Sequence, residues 1–287
     1  MAEVIGSDGT WTFDGDLLRI VPGTGRDVHR LRRLLGELAV PLEAIAGIAY
    51  QPGRKGGVLQ VKLRENADPV LQAAAGALND SSDPYRLNVA KDRSSLAEYM
   101  VDEVRNHLQI EQVDTAPVSR YLLPGPSVPI RASGGDGSVT FDGESIRFEW
   151  NWMADSAKQK AGPRRLALAD VAHVELHPAV GLDEGHLRFR PKGQDEPPEP
   201  KHDPYCLTLW GFKKESAAAI ALAAAVVARL PHPAEPAEVP AITAPESPET
   251  DHDVLLRRLR ELGDLHKQGI LTDDEFATAK QALLRRF

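Results

Sequence analysis

The sequence repeats itself, and this repetition constrains the fold more than any other feature. Residues 8–20 read DGTWTFDGDLLRI and residues 136–148 read DGSVTFDGESIRF, with Asp-Gly, Thr-Phe-Asp-Gly and an apolar-Arg-apolar ending at the same spacing. Three further segment pairs follow in the same order: VPLEAIAGIAYQP and LALADVAHVELHP, GGVLQVKLR and EGHLRFRPK, and DPYRLNV and DPYCLTL. Because internal similarity at a fixed period marks a repeated structural unit, we predict that one module of about 100 residues occurs twice.

Each copy carries the pattern of antiparallel strands followed by one helix. Apolar and polar residues alternate in short runs bounded by Asp-Gly and Pro-Gly, which is typical of half-buried strands. Asp14 and Asp142, each followed by glycine, lie between two such runs and predict hairpin turns. The copies end in helical stretches at 94–109 and 215–230. We therefore predict an α+β chain in which each copy is a curved antiparallel sheet or open barrel with a C-terminal helix, as in pleckstrin-homology-like (PH-like) modules.

The two closing helices differ in how much of their surface is apolar. In the first, Leu96, Met100, Val104 and Leu108 recur at helical spacing, so one face is expected to be buried. The second, SAAAIALAAAVVARL, is apolar on every side and too short to cross a bilayer. We therefore predict that it packs on its own sheet and on another surface, either the first copy or a second protomer.

Changes in composition divide the chain into segments. Residues 114–130 are proline-rich but contain leucine and tyrosine, whereas residues 231–250 are proline-rich with almost nothing to bury. The first stretch is therefore interpreted as a docked connector and the second as an extended, flexible linker. The predicted segments are module 1 at 1–113, the docked connector at 114–130, module 2 at 131–230, the flexible linker at 231–250 and a helical hairpin at 251–287.

The stretch DLHKQGILTDDEF, residues 264–276, has part of the pattern of an EF-hand calcium loop. Gly269 and Glu275 match that pattern, but His266 stands where the loop needs an oxygen ligand. The turn of a helical hairpin explains the same residues, since glycine is typical after a helix and Thr272 forms a capping box with Glu275. We therefore predict a turn between two helices and no calcium site.

The predicted hairpin exposes more apolar surface than a unit of its size can bury alone. Below about 40 residues a fold normally needs a disulfide, a metal or a partner, and this segment contains no cysteine. We therefore predict a homo-oligomer formed through residues 251–287. The residues predicted to make this contact are Leu255, Leu259, Leu262, Leu265, Ile270, Phe276, Leu283, Leu284 and Phe287.

Two family resemblances follow from these motifs. LLRRLRELGDLHKQGILTDDEFATAKQALL resembles the SHOCT (short C-terminal) domain in its leucine-rich helix, its Gly-Ile-Thr turn followed by Glu-Phe, and its Lys-x-x-Leu-Leu ending. Residues 1–230, through EWNWMADSAKQKAGP and LTLWGFKKES, resemble an actinobacterial domain of unknown function that often precedes SHOCT and consists of two PH-like halves. The resemblances imply this architecture and an oligomerisation role for SHOCT, and no known activity for the body.

Charge, cysteine content and hydropathy exclude several classes of protein. A formal net charge of -8 argues against nucleic-acid binding as the main function. The single cysteine, Cys206, can form neither a disulfide framework nor a cysteine zinc site. Apolar stretches are too short to span a bilayer and the first residues do not resemble a signal peptide, so we expect a cytoplasmic protein.

Candidate catalytic and metal-binding residues are few. His173 and His177 share one face of a predicted strand, with His186 and His202 nearby in sequence, and we interpret them as solvent-facing. Cys206 is expected on the outward face of its strand, without a histidine partner. The run GTGR lacks the remainder of a phosphate-binding motif, and no catalytic motif stands out. We therefore predict that the protein is not an enzyme and uses no cofactor or metal.

The best candidate for a binding site lies in the second copy. Trp150 and Trp152 share one side of a predicted strand, and the following loop is rich in Lys and Arg. Aromatic and cationic side chains together suit an acidic lipid headgroup or an acidic protein segment. Alternatively, the tryptophans belong to the core and the lysines to a solvated rim. The candidate residues are Trp150, Trp152, Lys158, Lys160, Arg164, Arg165, Trp210, Lys213 and Lys214.

These patterns favour a non-enzymatic scaffold or adaptor. In this interpretation the two modules form one rigid body, and the hairpin tethered to it drives self-association. The alternative is a binding module in which the Trp/Lys face of module 2 recognises an acidic group.

Overall fold

The computed structural model describes residues 1–180, 183–194 and 196–234, except for the side chains of Lys213 and Lys214. These residues fall in one folded unit. The predicted hairpin at 251–287 and most of the predicted linker lie outside the described residues.

The first copy consists of two antiparallel sheets and a closing helix. Its strands are β1 (Ala2–Ile5), β2 (Gly9–Phe13), β3 (Leu17–Pro22), β4 (Leu38–Pro41), β5 (Ile45–Gly53), β6 (Gly56–Leu63) and β7 (Arg86–Ala90). Strands β1 to β4 form a four-stranded sheet in chain order, and β5 to β7 form a three-stranded sheet. The helices are α1 (Arg30–Leu35) after β3, α2 (Pro69–Ala74) after β6, and α3 (Ser94–Ile110), which closes the copy.

The second copy repeats this arrangement. Its strands are β8 (Ile130–Ser133), β9 (Gly137–Phe141), β10 (Ser145–Trp150), β11 (Arg164–Ala167), β12 (Val171–His177), β13 (Gly185–Pro191) and β14 (Cys206–Leu209). They again form a four-stranded and a three-stranded sheet in chain order. Helix α4 (Ser156–Ala161) follows β10, as α1 follows β3, and α5 (Lys213–Val227) closes the copy. The described part of the chain is therefore α+β with antiparallel sheets, as predicted.

Two Asp-Gly sequences form the hairpin turns β2–β3 and β9–β10. In each turn an aspartate oxygen accepts hydrogen bonds from the backbone N–H groups two and three residues later. These bonds hold the pKa of Asp14 and Asp142 below the usual range. Gly15 and Gly143 have φ values of 115° and 107°, a backbone conformation that favours glycine. Both predicted hairpins are confirmed.

Helix α3 buries one face on the first copy, but the buried stripe differs from the predicted one. The buried residues are Ala97, Met100, Val101 and Val104. They follow the spacing i, i+3, i+4, i+7 of an amphipathic helix. The prediction for Leu96 is wrong, and its side chain is 45% exposed. Because the stripe begins one residue later, at Ala97, Leu96 lies at its edge.

Helix α5 lies between the two copies. Every residue from 217 to 226 is buried. The helix packs against β8, β9 and β12 of its own copy and against α1 and α2 of the first copy. Leu31 of α1 and Val70 of α2 belong to the same apolar cluster as the core of the second copy. The prediction of a second covering surface is confirmed, and that surface is the first copy. Among the described residues, no helix is long and apolar enough to span a membrane.

Candidate functional site

The segment after β10 turns Lys158 into the protein interior. Helix α4 begins after Asp155, whose carboxylate caps the first turn, and it ends at Gly162, where φ is 66°. Lys158, at the third position of this helix, is completely buried. Its Nζ atom lies 2.5 Å from Asp136 Oδ2 and 2.6 Å from the backbone oxygen of Cys206.

Lys158 is therefore a structural residue and does not face an external ligand. Its charge is neutralised by Asp136, whose carboxylate also accepts hydrogen bonds from the N–H and hydroxyl of Thr208, at 2.9 and 2.8 Å. The ammonium lies 4.9 Å from the centre of the Trp150 ring, within range of a cation–π interaction. This corrects the predicted placement of Lys158 in a surface patch. A buried ammonium must be paired, and its partners here are internal.

The first copy contains the same arrangement. Arg32 Nη1 lies 2.5 Å from Asp8 Oδ2, and Arg32 is the third residue of α1 as Lys158 is of α4. Asn88 of β7 donates its backbone N–H and its side-chain amide to Asp8, at 2.9 and 2.7 Å. In both copies the pair joins the turn between the first two strands, the helix after the third strand, and the last strand. The pair is therefore a property of the repeated fold.

The other predicted binding residues divide between interior and surface. Trp150 is half-buried, and its ring stacks on Phe148 at a centroid distance of 5.9 Å. Trp152 is 84% exposed and Trp210 is 41% exposed. The exposed basic residues are Lys160, Arg164 and Arg165, whereas the side chains of Lys213 and Lys214 are outside the description. The structure thus places Lys158 in the interior with the half-buried Trp150 against it, whereas the other described residues of the predicted binding site are exposed.

Four large apolar side chains of the second copy remain exposed on two segments that meet at the β8–β9 turn. They are Trp152, Met153, Trp210 and Phe212, here called the aromatic surface. Asn151, next to Trp152, donates its side-chain amide to the backbone oxygen of Gly135 at 3.0 Å. The indole of Trp210 covers Gly135 so closely that a side chain there would collide with it. The sequence prediction did not include Met153 or Phe212, which have no alternating pattern to mark them.

An acidic side chain lies next to the aromatic surface, and the exposed basic residues lie on α4 and β11. Glu215 Oε2 accepts the backbone N–H of Trp210 at 2.9 Å, which places a carboxylate against this segment. Lys160 lies in the last turn of α4, and the Arg165 guanidinium donates to a serine hydroxyl of β10 at 2.9 Å. Because Lys158 is buried, Lys160, Arg164 and Arg165 are the predicted basic residues of the described segments whose side chains are open to solvent.

Cys206 is a buried thiol without catalytic features. It lies opposite Arg188 on the outer face of the β12–β14 sheet. Arg188 forms an ion pair with Asp203 at 2.9 Å and donates a hydrogen bond to the backbone oxygen of Pro198 at 2.8 Å, so it holds the segment leading into β14. Burial raises the pKa of Cys206 to about 12. A thiol that stays protonated at neutral pH is a poor nucleophile.

The outer face of β12 and β13 brings together two histidines that the sequence prediction treated separately. His177 lies directly opposite His186 in the strand register, and their ring centroids are 4.5 Å apart. Burial, followed by the nearby His177, lowers the pKa of His186 to about 4. His173, on the same face as His177, lies 2.8 Å from a carboxylate oxygen of Glu175. The β12–β13 register was needed to find this pair.

The described fold defines the class of the protein: a duplicated α+β chain whose two copies share an apolar interface. Comparison with protein families gives the same division of the chain into two copies. A family model described as a domain of unknown function, DUF4429, matches residues 11–105 and 139–227, one segment in each copy. The chain belongs to this family. A model of the short C-terminal domain, SHOCT, matches residues 257–284, as predicted. No curated protein matches the chain.

Proposed function

We propose that this protein is a non-enzymatic cytoplasmic adaptor that self-associates through residues 251–287. The observation that carries the proposal is the pair of apolar stripes in this segment, which coincides with the SHOCT match at 257–284. A unit of fewer than about 40 residues cannot bury such stripes alone, so a second copy of the chain is the simplest partner. His232, near the start of the predicted proline-rich linker, is buried and lies 3.0 Å from the backbone oxygen of Asn66. The proposal therefore takes only the residues after 234 as the linker that lets this contact form independently of the body.

The body supports an adaptor role because the two copies are joined by extensive packing. Helix α5 connects them through a shared apolar cluster, and a buried ion pair anchors equivalent segments in each copy. Self-association of such a body presents several identical surfaces at once. This raises the avidity for a repeated partner without any new contact.

Substitutions within the stripes test self-association. Leu262→Asp and Leu283→Asp each place a carboxylate in the predicted contact, so the full chain carrying either change is expected to sediment as a smaller species than the unaltered chain. Arg257→Asp adds the same side chain on the opposite side of the same predicted helix and serves as the matched control. Sedimentation velocity distinguishes these outcomes, and unchanged sedimentation of both leucine variants would contradict the proposal.

We also propose that each copy is a PH-like module. The support is the arrangement of a four-stranded and a three-stranded antiparallel sheet followed by a C-terminal helix. The alternative function rests on this interpretation: the aromatic surface, with Lys160 and Arg164, recognises an acidic lipid headgroup or an acidic protein segment. It is favoured by the exposure of Trp152 and Phe212, at 84% and 61%, since large exposed apolar patches often mark binding sites.

Vesicle co-sedimentation tests the alternative function. The full chain is compared on anionic and on neutral phosphatidylcholine vesicles, with and without the changes Trp152→Ala and Lys160→Glu. Binding that needs anionic lipid and is lost in both variants supports lipid recognition. Lys91→Glu, an exposed lysine of the first copy, is the matched charge control. If no vesicle binds, the same variants are compared for binding to an acidic peptide, and the alternative fails if that interaction is also absent.

A further inference from the structure

Three metal-ligating side chains converge on the outer face of the β12–β13 hairpin. Glu175 and His177 are two residues apart on β12, so they project from the same face of the strand. His186 reaches this face from β13, directly across from His177. One ligand atom of each of the three residues lies within 4.8 Å of the other two. Two imidazoles and one carboxylate are the ligand set of many zinc sites that keep one position open.

The three side chains have the freedom to close on an ion. In a tetrahedral zinc site the ligand atoms lie roughly 3.3 Å apart, because each is about 2.0–2.1 Å from the metal. His177 is exposed, and Glu175 and His186 are half-buried. Small side-chain rotations therefore bring the ligand atoms together without moving the strands. The partial exposure also gives a cation access from solvent.

The existing partners of Glu175 do not prevent metal binding. Its oxygens lie 3.5 Å from Arg188 and 3.3 Å from Arg190, which are long distances for ion pairs. Arg188 has a closer partner in Asp203, at 2.9 Å, and Arg190 also donates to the backbone oxygen of Gln194 at 3.3 Å. A cation that takes one oxygen of Glu175 therefore leaves both arginines with partners.

His173 gives the carboxylate a supporting hydrogen bond. Its Nε2 atom lies 2.8 Å from Glu175 Oε1, and metal-ligating carboxylates are commonly hydrogen-bonded in this way. The other oxygen of Glu175 is then the one best placed to bind a metal. The neighbouring arginines carry positive charge, so we expect moderate affinity rather than the very tight binding of a structural zinc site.

The repeat shows that the fold does not require these ligands. The aligned segments put Ala49, Gln51 and Val58 of the first copy at the positions of Glu175, His177 and His186. Gln51 pairs with Val58 in the register of β5 and β6, as His177 pairs with His186 in β12 and β13. The same backbone therefore forms without any metal-ligating side chain at these positions.

We propose that Glu175, His177 and His186 bind a divalent cation of the zinc class, with a fourth position open to water. Imidazole nitrogen and carboxylate oxygen suit zinc better than calcium or magnesium, which prefer oxygen ligands alone. The site belongs to the second copy, and none of its three residues is part of the aromatic surface.

Titration of the full chain with zinc chloride tests the proposal. We expect one zinc ion to bind at this site, seen by calorimetry and by shifts of the imidazole NMR signals of His177 and His186. His177→Ala and Glu175→Gln are each expected to weaken binding at this site by at least about tenfold. His202→Gln changes another partly exposed histidine of the same copy and is expected to leave the affinity unchanged.

Two results would overturn the proposal. One is the absence of any zinc-dependent shift of the His177 and His186 signals in the unaltered chain at up to about 100 μM zinc. The other is binding by the two variants with unchanged affinity, which would place the zinc elsewhere, for example at His252 or His266 of the tail. The NMR measurement uses the unaltered protein, so it decides the question even if a variant fails to fold.

Discussion

The ammonium of Lys158 and the carboxylate of Asp136 lie 2.5 Å apart in the interior of the second copy. Arg32 and Asp8 form the same pair in the first copy, also at 2.5 Å. A buried ion pair contributes little net stability compared with apolar packing, but removing one partner leaves an uncompensated charge. The pair therefore links the packing of three segments in each copy: the turn between the first two strands, the helix after the third strand and the last strand.

Removal of Asp136 should destabilise the body strongly. Asp136→Ala leaves Lys158 buried without its counter-ion, so we expect a loss of about 3–5 kcal/mol in the free energy of unfolding. Replacing both residues, Asp136→Ala with Lys158→Met, should recover part of this loss because no charge remains buried. Urea denaturation followed by circular dichroism measures both values. Asp170→Ala, at an exposed aspartate, is the control. A loss below about 1 kcal/mol for Asp136→Ala would show that the pair is not sealed from water.

Truncating a buried leucine of α5 should lower the free energy of unfolding more than truncating an exposed leucine of α3. Leu222 is fully buried between the copies, whereas Leu96 is 45% exposed. We expect Leu222→Ala to lower the free energy of unfolding by about 2–5 kcal/mol and Leu96→Ala to lower it by less than about 1 kcal/mol. Equal effects of the two changes, measured by urea denaturation, would contradict the assigned position of α5.

Cys206 should resist thiol reagents in the folded protein. Burial raises its pKa to about 12, compared with about 8.5 for a free cysteine. Raising the pH from about 7 to about 9 forms thiolate in the unfolded chain but very little in the folded one. A disulfide reagent should therefore react rapidly in urea and only slowly in buffer at either pH. Fast reaction of the folded protein at about pH 9 would show that the thiol is accessible.

The elements that were predictable depend on local patterns. The Asp-Gly turns at Gly15 and Gly143 are short-range features of the sequence. The all-apolar sequence of α5 also predicted that a second surface covers this helix, although it did not show which surface. The burial of Lys158 was not predictable in the same way, because its partner Asp136 is distant in sequence and on another element. Only the alignment of α4 with α1 makes Lys158 equivalent to Arg32. It shows that the lysine belongs to a buried ion pair that occurs in both copies.

The histidine pair illustrates the same limit in the candidate sites. Spacing alone put His173 and His177 on one face of a strand. It did not show that His186 lies opposite His177, because cross-strand neighbours depend on the register of β12 and β13. A shift of one residue in that register would move His186 to the other face.

The most direct test of the central claim is the mass of the full chain in solution, compared with that of a chain ending at Pro236. Light scattering behind size exclusion, over a range of concentrations, measures both. We predict that the full chain is an oligomer and that the shortened chain has the mass of one copy. The same mass for both chains would contradict self-association through residues 251–287 and would direct the search to a different partner for this segment.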